Sequence, residues 1–548
     1  MPFSLLRAGV EKCAWKRGVS ASGVKVLTVA HENTDIFYHD ALRLRAGGLL
    51  AEAADMLRKV LAAVPDHFPA RVELGNTLYS QALMNDAIEQ YREALRLNPR
   101  PAIVHNNLGI VFQEQGRTDE AIGEYRRALE LDPGYTMAHS NLLRCLNFHP
   151  ALGNEQLFEA HKSFETLHGS LRRPRSISFT NSRDPDRQLR IGYVSPDLGN
   201  HSVAYFVTSV FPNHDRSGFE VFCYSDRDKE DESGRKIRQG VDVWRKTAGI
   251  DDDTLFQLIR RDAVDILVDL AGHTGGNRLP LFALRPAPVQ VTWLGYPNTT
   301  GLSAMDYRIV DGVTDPAGDA DRYHSETLIR LPSGFLCFDP PAKAPEVTPL
   351  PMLRNGFVTF GSFNALAKIT DEAIALWCRM LARVPGARIL FKNKCLFDEQ
   401  TRNRLIGRFE AQGISGDRVM MTPYTLTTEE HLACYGHLDI SLDTFPYNGT
   451  TTTCESLWMG VPVVGPMGNR HAARVTASIL TRLGLDSLVG SNADECVEVA
   501  VHLAGRPELL ETLRKGLRDR IRRSPLCDGK AFARELENAY RNIWCAVL

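Results

Sequence analysis

"LDISLDTFPYNGTTTTCESLWMGVPVV" (438–464) is the stretch that decides the fold. It opens with a mostly apolar run, continues through an Asn448-Gly449 turn and closes with a second apolar run. The residues between the turn and the second run have the composition of a short helix, which Gly460 and Pro462 end. A strand, a turn, a helix and a further strand form the repeating unit of a parallel sheet that helices cover.

The same alternation extends over the chain from Leu189 onward. Short apolar runs separated by helix-length segments lie at 189–195, 219–225, 264–270, 289–295 and 306–312, and they resume at 357–363, 387–393, 418–423, 438–443 and 461–466. We therefore predict two Rossmann-like domains, an N-terminal half over 187–345 and a C-terminal half over 346–548. Ligands of such sheets bind beyond the carboxyl ends of the strands, so the polar residues that follow the strands are the candidate site residues.

The run of threonines at 450–453 is an unusual way to begin a helix, because β-branched side chains lose rotamer freedom there. Hydroxyls and free backbone N–H groups at the positive end of a helix are, however, a combination that binds phosphate. Glu455 follows one and a half turns later, where it could reach the two hydroxyls of a ribose. The alternative is an over-capped helix with solvent-facing threonines. The predicted phosphate ligands are Thr450, Thr451 and Thr452.

A lysine supplies the cation that a phosphate site needs. Lys368, in "FGSFNALAKITDEA" (360–373), lies in the loop after a predicted strand and just before a helix that Thr370 caps. A lysine at such a place is more often plain solvated surface. Two strand-end loops of the same half, one cationic and one rich in hydroxyls, together favour a diphosphate.

The first third of the chain carries an internal repeat of 34 residues. Pro65, Pro99 and Pro133 keep this spacing, and so do two sets of small residues, namely Ala53, Ala87 and Ala121, and Gly48, Ala82 and Gly116. Small residues at matched positions let two helices approach closely, and each proline ends a pair. We predict tetratricopeptide repeats over 31–148, with the first helix of a fourth repeat at 133–147, a linker over 149–186 and a tail over 1–30.

Composition excludes several classes of protein. The net charge of −2 and the pI near 6.8 give no reason to expect nucleic acid as a partner. The 11 cysteines contain no C-x-x-C pair, which fits a reducing cytosol better than a disulfide or zinc framework. No apolar run approaches the length of about 18–20 residues that a membrane span needs, and no secretory signal is evident. We expect a cytoplasmic protein without membrane or nucleic-acid partners.

Four long motifs resemble the O-GlcNAc transferase family of glycosyltransferases. They are "RIGYVSPDLGNHSVAYF" (190–206), "RPAPVQVTWLGYPNTTGLSAMDYRIVD" (285–311), "FGSFNALAKIT" (360–370) and "HLDISLDTFPYNGTTTTCESLWMGVPVV" (437–464). The resemblance spans residues 31–546 and implies tetratricopeptide repeats joined to a GT-B core that uses a nucleotide sugar without a metal. Several stretches are even more similar to the plant SPINDLY branch, whose members are protein O-fucosyltransferases that use GDP-fucose.

The resemblance also implies roles for single residues. Lys368 matches the family lysine that contacts the donor diphosphate and stabilises the charge of the leaving nucleotide. Thr451 and Thr452 match the pair that binds the same phosphates, and Glu455 takes the acidic position that holds the donor ribose. His431, in "TTEEHLA", matches the histidine that lies against the nucleotide base.

Two histidines of the N-terminal half are candidates near the reacting groups. His201, in "GNHSVAYF", matches the histidine proposed as general base, since a neutral imidazole could accept a hydroxyl proton. His273, in "DLAGHTGGNR", lies at a strand end among glycines that suggest a closely approaching ligand, although a purely structural loop is an equal alternative. One departure concerns the sugar: Tyr447 replaces a small residue of the N-acetyl pocket, which puts GlcNAc in doubt.

Three functions remain open at this point. The first is inverting, metal-independent transfer of GlcNAc from UDP-GlcNAc, or of fucose from GDP-fucose, to Ser or Thr hydroxyls of proteins that bind along the repeats. The second is a nucleotide-binding repeat scaffold without turnover, against which the retention of His201, Lys368 and Glu455 argues. The third is transfer to a glycan or a small acceptor, with the repeats serving for docking or for a homodimer.

Overall fold

The computed structural model describes residues 21–170 and 177–547, which form two compact units. The first unit contains the described residues up to Tyr135 together with Lys394–Asn403. The second contains Thr136–Asn393 and the described residues from Arg404 onward. The first unit is helical, whereas the second contains two parallel sheets. The tail predicted over 1–30 lies largely outside the described residues.

Three packed helix pairs make up most of the first unit. The turns inside the pairs place Gly48, Ala82 and Gly116 in the left-handed region, with φ of 83°, 64° and 73°. Such a turn favours residues with little or no side chain, which explains why small residues recur there at the repeat spacing. The predicted tetratricopeptide repeats are confirmed. The pairs are α1 (Ala21–Ala46) with α2 (Leu50–Ala63), α3 (Phe68–Ser80) with α4 (Met84–Leu97), and α5 (Ala102–Glu114) with α6 (Thr118–Leu131).

A segment distant in sequence completes the first unit. Gln115 Nε2 donates a hydrogen bond to Thr401 Oγ1 at 2.9 Å, and Lys394 Nζ lies 3.3 Å from the Glu114 carboxylate. The sequence pattern assigns 394–403 to the C-terminal half, because nothing in a linear pattern shows that a loop packs against helices hundreds of residues away.

Helix α7 (Thr136–Leu146), which the repeat pattern predicts as the start of a fourth repeat, falls in the second unit. It packs against α8 (Asn154–Phe164), which continues into a π-helical turn over Glu165–Gly169. The segment predicted as a linker therefore contains a helix that forms part of the second unit.

The N-terminal half of the second unit is built on a seven-stranded parallel sheet of order β3-β2-β1-β4-β5-β6-β7. Its central strands are buried apart from Arg190, as expected for a sheet covered on both faces. The strands are β1 (Leu189–Ser195), β2 (Phe219–Ser225), β3 (Val243–Lys246), β4 (Ile266–Asp269), β5 (Val289–Thr292), β6 (Tyr307–Asp311) and β7 (Thr327–Leu331). The helices are α9 (Ala204–Val207), α10 (Glu232–Gln239), α11 (Asp252–Arg261) and α12 (Leu279–Ala283).

The C-terminal half has a six-stranded parallel sheet of order β10-β9-β8-β11-β12-β13. The strands are β8 (Thr359–Ser362), β9 (Arg388–Phe391), β10 (Val419–Met421), β11 (Ile440–Leu442), β12 (Val463–Pro466) and β13 (Val489–Gly490). The helices are α13 (Pro351–Asn355), α14 (Asp371–Arg383), α15 (Glu399–Glu410), α16 (Thr428–Ala433), α17 (Thr451–Trp458), α18 (Val475–Arg482), α19 (Ala493–Ala504) and α20 (Pro507–Arg522). Two Rossmann-like domains after helical repeats confirm the predicted fold class.

The last helix, α21 (Gly529–Val547), belongs to the core of the N-terminal half. Phe532 stacks on Trp293 with ring centroids 5.8 Å apart, and the Tyr540 hydroxyl lies 3.2 Å from that of Tyr193. The predicted boundary places this helix with the C-terminal half. Its apolar face is visible in the sequence, but which of two sheets it covers is decided by packing.

No helix in the described part of the chain is long and apolar enough to cross a membrane.

Candidate functional site

The loop between β11 and α17 is shaped by a buried carboxylate. Asp443 Oδ1 accepts hydrogen bonds from the backbone N–H of Thr444 at 2.8 Å and of Gly449 at 2.7 Å. A Cβ at Gly449 would lie 2.5 Å from Thr452 Oγ1, so the loop passes too close to the helix for any side chain there. Asp443 thus holds the turn that delivers the chain to the start of α17.

No side chain caps the backbone N–H groups at the start of α17. Thr450 precedes the helix, and its side chain makes no capping hydrogen bond. Thr450, Thr451 and Thr452 are half-buried, and Thr452 Oγ1 donates to Asn364 Oδ1 at 2.8 Å. The first N–H groups of a helix have no partner within it, and the dipole favours negative charge at this end. The geometry is that of an anion site.

Lys368 lies directly beside this loop. It ends a 3₁₀ turn (Leu366–Lys368) that follows β8, and its Nζ donates to the carbonyl oxygen of Asn448 at 2.7 Å. The same Nζ lies 4.2 Å from the ring centroid of Tyr447. Burial lowers the pKa of Lys368 to about 8, against the attraction of Asp443. The two predicted loops therefore meet, and a half-buried cation stands next to the uncapped helix.

Asn448 and Gly449 shape the loop. Asn448 is buried, with its backbone N–H bonded to Ala472 O at 2.7 Å and its Nδ2 to Thr444 O at 2.9 Å. The side chain of Asn448 is thus occupied by the protein, and its carbonyl orients Lys368. The predicted donor-binding residues include both, and in this arrangement Asn448 orients Lys368 while Gly449 permits the close approach of the loop to α17.

Glu455 and His431 form one cluster at the next turn of α17. Glu455 is buried, and its Oε2 lies 3.1 Å from His431 Nε2 and 3.3 Å from the Tyr435 hydroxyl. Glu455 lies on the same short helix as Thr451 and Thr452, one turn after them. The predicted phosphate and ribose ligands are therefore neighbours.

His201 follows β1 on the N-terminal half. Its Nδ1 accepts the N–H of Val203 at 3.3 Å and lies 3.6 Å from Asp197 Oδ1. Desolvation lowers the pKa of His201, and the Asp197 carboxylate opposes that shift. Tyr205 lies on α9, which begins three residues later, and its side chain hydrogen-bonds Thr428. Burial and the negative charge of Glu455 raise the pKa of its hydroxyl. The His201 segment thus borders the C-terminal half at the Glu455 cluster.

His273 lies in a closed environment. It is fully buried, with Nδ1 3.1 Å from Ser140 Oγ and Nε2 2.8 Å from Thr300 O. Its ring packs edge-on against Phe164 and Tyr296. The protein occupies both ring nitrogens, which favours the structural alternative for His273, and its donor-binding role stays a prediction. The strand-end position was right, but tertiary packing closed the loop.

Four residues of the site were not singled out from the sequence, and tertiary contacts reveal them. Two lie at the ends of predicted strands and a third directly follows one, a signal that could have found them, whereas nothing local distinguishes the fourth. They are Asp443, Lys392, Asn364 and Tyr435. Within the described residues, no group of three or more His, Cys, Asp or Glu side chains is arranged to hold a metal ion. Metal independence stays a prediction.

Comparison with known families matches most of the chain. A model described as glycosyl transferase family 41 matches residues 164–347 and 350–536, and a tetratricopeptide-repeat model matches 72–136. A solved structure of a lysine-to-methionine mutant of Thermobaculum terrenum O-GlcNAc transferase is 36% identical, with a TM-score of 0.89, and covers 94% of this chain and 98% of that one.

Curated plant proteins give a parallel result. Two proteins named probable UDP-N-acetylglucosamine–peptide N-acetylglucosaminyltransferase SPINDLY, from Petunia hybrida and Arabidopsis thaliana, are each 46% identical to this chain. The matches cover 73% and 71% of this chain, and 43% of each relative. The chain therefore spans less than half the length of the curated relatives that it matches.

Proposed function

The chain belongs to glycosyl transferase family 41, and from that premise we propose that it is an inverting protein glycosyltransferase that moves GlcNAc from UDP-GlcNAc to Ser or Thr hydroxyls, without a metal. The curated relatives carry that donor and a peptide acceptor in their names, and the similar Thermobaculum protein is named an O-GlcNAc transferase. Acceptor proteins would bind along the repeats, and a homodimer is part of the same proposal.

The observation that carries the proposal is the meeting of Lys368 with the uncapped start of α17. A nucleoside diphosphate sugar presents two phosphates, a ribose and a base in that order. Lys368 supplies a cation for the phosphates, Thr451 a hydroxyl, and the start of α17 its backbone N–H groups. The Thr452 hydroxyl would join them by giving up its hydrogen bond to Asn364. Glu455, one turn further along, is placed for the ribose, and His431 beside it is placed for the base.

The reaction follows from this placement. An acceptor hydroxyl attacks the anomeric carbon on the face opposite the diphosphate, the bond from that carbon to the diphosphate oxygen breaks, and the configuration inverts. Because desolvation lowers its pKa, His201 is neutral near neutral pH. In the tautomer that carries its proton on Nδ1, toward Asp197 Oδ1 and in place of the contact from the Val203 N–H, Nε2 can accept the hydroxyl proton. Lys368 and the α17 N-terminus stabilise the charge that develops on the leaving diphosphate.

A second donor, GDP-fucose, is favoured by the surroundings of Tyr447. Its ring centroid lies 5.0 Å from that of Phe148 and 4.2 Å from Lys368 Nζ, so a bulky aromatic side chain stands beside the diphosphate cation. A ring at this place leaves less room for a 2-acetamido group than a small residue would. Fucose has a hydroxyl at that carbon.

Calorimetric titration tests the proposal and separates the two donors. The purified chain is titrated with UDP, UDP-GlcNAc, GDP and GDP-fucose, each with and without EDTA. Binding of the uridine pair that survives EDTA supports the proposal, and binding of the guanosine pair transfers it to fucose. Absence of binding by all four, or binding that EDTA abolishes, would refute the metal-free nucleotide-sugar site.

A further inference from the structure

Lys392 forms a line of three ionisable groups with two residues of the proposed donor site. It directly follows β9, and its side chain is buried. Its Nζ lies 2.7 Å from His431 Nδ1, and on the other side of the ring His431 Nε2 lies 3.1 Å from Glu455 Oε2. A cation, an imidazole and a carboxylate are thus joined end to end.

The chemistry of the lysine decides the state of the histidine. An ammonium group has three donors and no acceptor, so at hydrogen-bond distance it requires an unprotonated Nδ1. The neutral ring then carries its proton on Nε2, which donates to Glu455 Oε2. A proton on Nδ1 would point an N–H at a positive charge in a buried place, where repulsion is strong.

The other groups around the line are acidic or aromatic. Tyr424 places its ring centroid 5.3 Å from Lys392 Nζ, and the Tyr435 hydroxyl donates to Glu455. Burial lowers the pKa of Lys392, while neighbouring acidic groups oppose the shift. The groups that face Lys392 and Glu455 electrostatically are Cys434, Glu430 and Tyr205, and the Phe363 ring packs against His431.

We propose that Lys392 is a positioning residue, which fixes His431 as the Nε2–H tautomer and through it holds the Glu455 carboxylate in place for the ribose. The second half of this statement rests on the proposed function. The first half concerns the histidine alone and holds whether or not a nucleotide binds.

Removing the ammonium group changes how the site responds to pH. In a Lys392→Met variant, nothing requires an unprotonated Nδ1, so both imidazole nitrogens of His431 can carry protons. Protonated His431 then forms an ion pair with Glu455 and competes with the ribose for the carboxylate. Nucleotide binding in that variant therefore weakens as pH falls.

The experiment measures nucleotide affinity and the histidine state in four proteins: wild type, Lys392→Met, Lys392→Arg and Lys394→Met. Lys394 is a matched control because it is a lysine two residues away that pairs with Glu114. Affinity for UDP and GDP is measured by calorimetry at about pH 8 and about pH 6, and each variant is expressed relative to wild type at the same pH, which cancels the titration of the nucleotide and of Lys368. The His431 tautomer is read by ¹⁵N NMR of histidine-labelled protein and assigned with His431→Gln.

The quantity compared is the affinity of each variant divided by that of wild type at the same pH. For Lys392→Met we expect this ratio to be about tenfold lower at the lower pH than at the higher one. For Lys392→Arg and Lys394→Met it should change by no more than about twofold. In wild type, His431 should show an acceptor Nδ1 at both pH values. A wild-type Nδ1–H tautomer, or a Lys392→Met ratio that does not change with pH, overturns the proposal.

The two failures are distinguishable. If wild type binds neither nucleotide, the proposed function fails, while the NMR spectrum of wild type still decides the tautomer. If Lys392→Met does not fold, the wild-type spectrum and the Lys392→Arg ratio decide the question, since an Nδ1–H signal of His431 in wild type is sufficient to refute the role.

Discussion

The loops after β4 and β11 begin alike and end differently. In each, a buried strand-end aspartate accepts hydrogen bonds from the loop's own N–H groups: Asp269 from Ala271 and Gly272, and Asp443 from Thr444 and Gly449. Burial raises the pKa of both carboxyls, that of Asp269 to about 6. Such an aspartate therefore stabilises the fold of a strand-end loop, and its presence does not by itself indicate a ligand-binding site.

The residues after the aspartate make the difference. After β11, the chain presents half-buried threonines at a helix start that no side chain caps, with Lys368 beside it. After β4, it presents His273, and both ring nitrogens are taken by Ser140 and Thr300. A strand-end loop becomes a binding site where its polar groups are left for a ligand, and a packing element where the protein itself uses them.

The sharpest test of this contrast is Lys368→Ala. Because the variant removes a half-buried cation from the diphosphate position, we expect donor affinity to fall by about 4 kcal/mol, roughly a thousandfold. Calorimetry with the nucleotide that binds wild type measures the loss. Lys515→Ala, at an exposed pair with Glu511, is the control and should leave affinity unchanged. Wild-type affinity in Lys368→Ala would show that the Lys368 cation does not contribute to donor binding.

His273→Ala should behave in the opposite way. The variant removes a buried ring and strands the partners of two hydrogen bonds, so we expect about 3 kcal/mol of lost stability. Denaturant unfolding measures that loss, and calorimetry should show donor affinity within about twofold of wild type. His437→Ala, at an exposed position, provides the baseline. A stable His273→Ala variant with weakened donor binding would restore His273 to the site.

The sequence predicted local elements, such as strands and the loops after them, better than the tertiary contacts that surround them. Residues 189–195 and 219–225 were predicted as strands and have those bounds, since a single charged residue interrupts each apolar run. β3 was missed because its residues are half-buried or exposed, and β13 because it spans two residues. The packing of α21 on the first sheet is a tertiary choice that its own pattern does not contain.

The same limit applies to the candidate site. Lys368 and the threonines were found because each lies in a local strand–loop–helix pattern, and the topology then brings neighbouring strands β8 and β11 together. Tyr435 and Lys392 meet Glu455 and His431 through side chains from three separate segments. No periodicity encodes such a meeting, and for the same reason the closure of His273 could not be foreseen.

Gly449→Ala tests how closely the β11 loop must approach its helix. The added Cβ would lie 2.5 Å from Thr452 Oγ1 and 2.8 Å from Thr453 Oγ1, so the loop must shift. We expect donor affinity to fall about tenfold, or about 1.4 kcal/mol, in calorimetry. Gly516→Ala is the matched control, because a Cβ in the middle of α20 meets nothing within 4 Å. It should stabilise the protein by up to about 1 kcal/mol. An unchanged affinity in Gly449→Ala would show that the loop is free to move without harm to the site.

The smallest expected effect concerns His201, whose side chain is more exposed than the threonines of the β11 loop or His273 of the β4 loop. Activity that needs neutral His201 rises with pH through its lowered pKa, below about 6.5, and falls as Lys368 loses its proton near pH 8. The Asp197 carboxylate, 3.6 Å from Nδ1, stabilises the protonated ring and so raises that pKa. Asp197→Asn removes the charge, and the acid limb of kcat/KM should move to lower pH by about half a unit while the alkaline limb stays in place. An acid limb that does not move, or that moves to higher pH, would mean that a group other than His201 sets it.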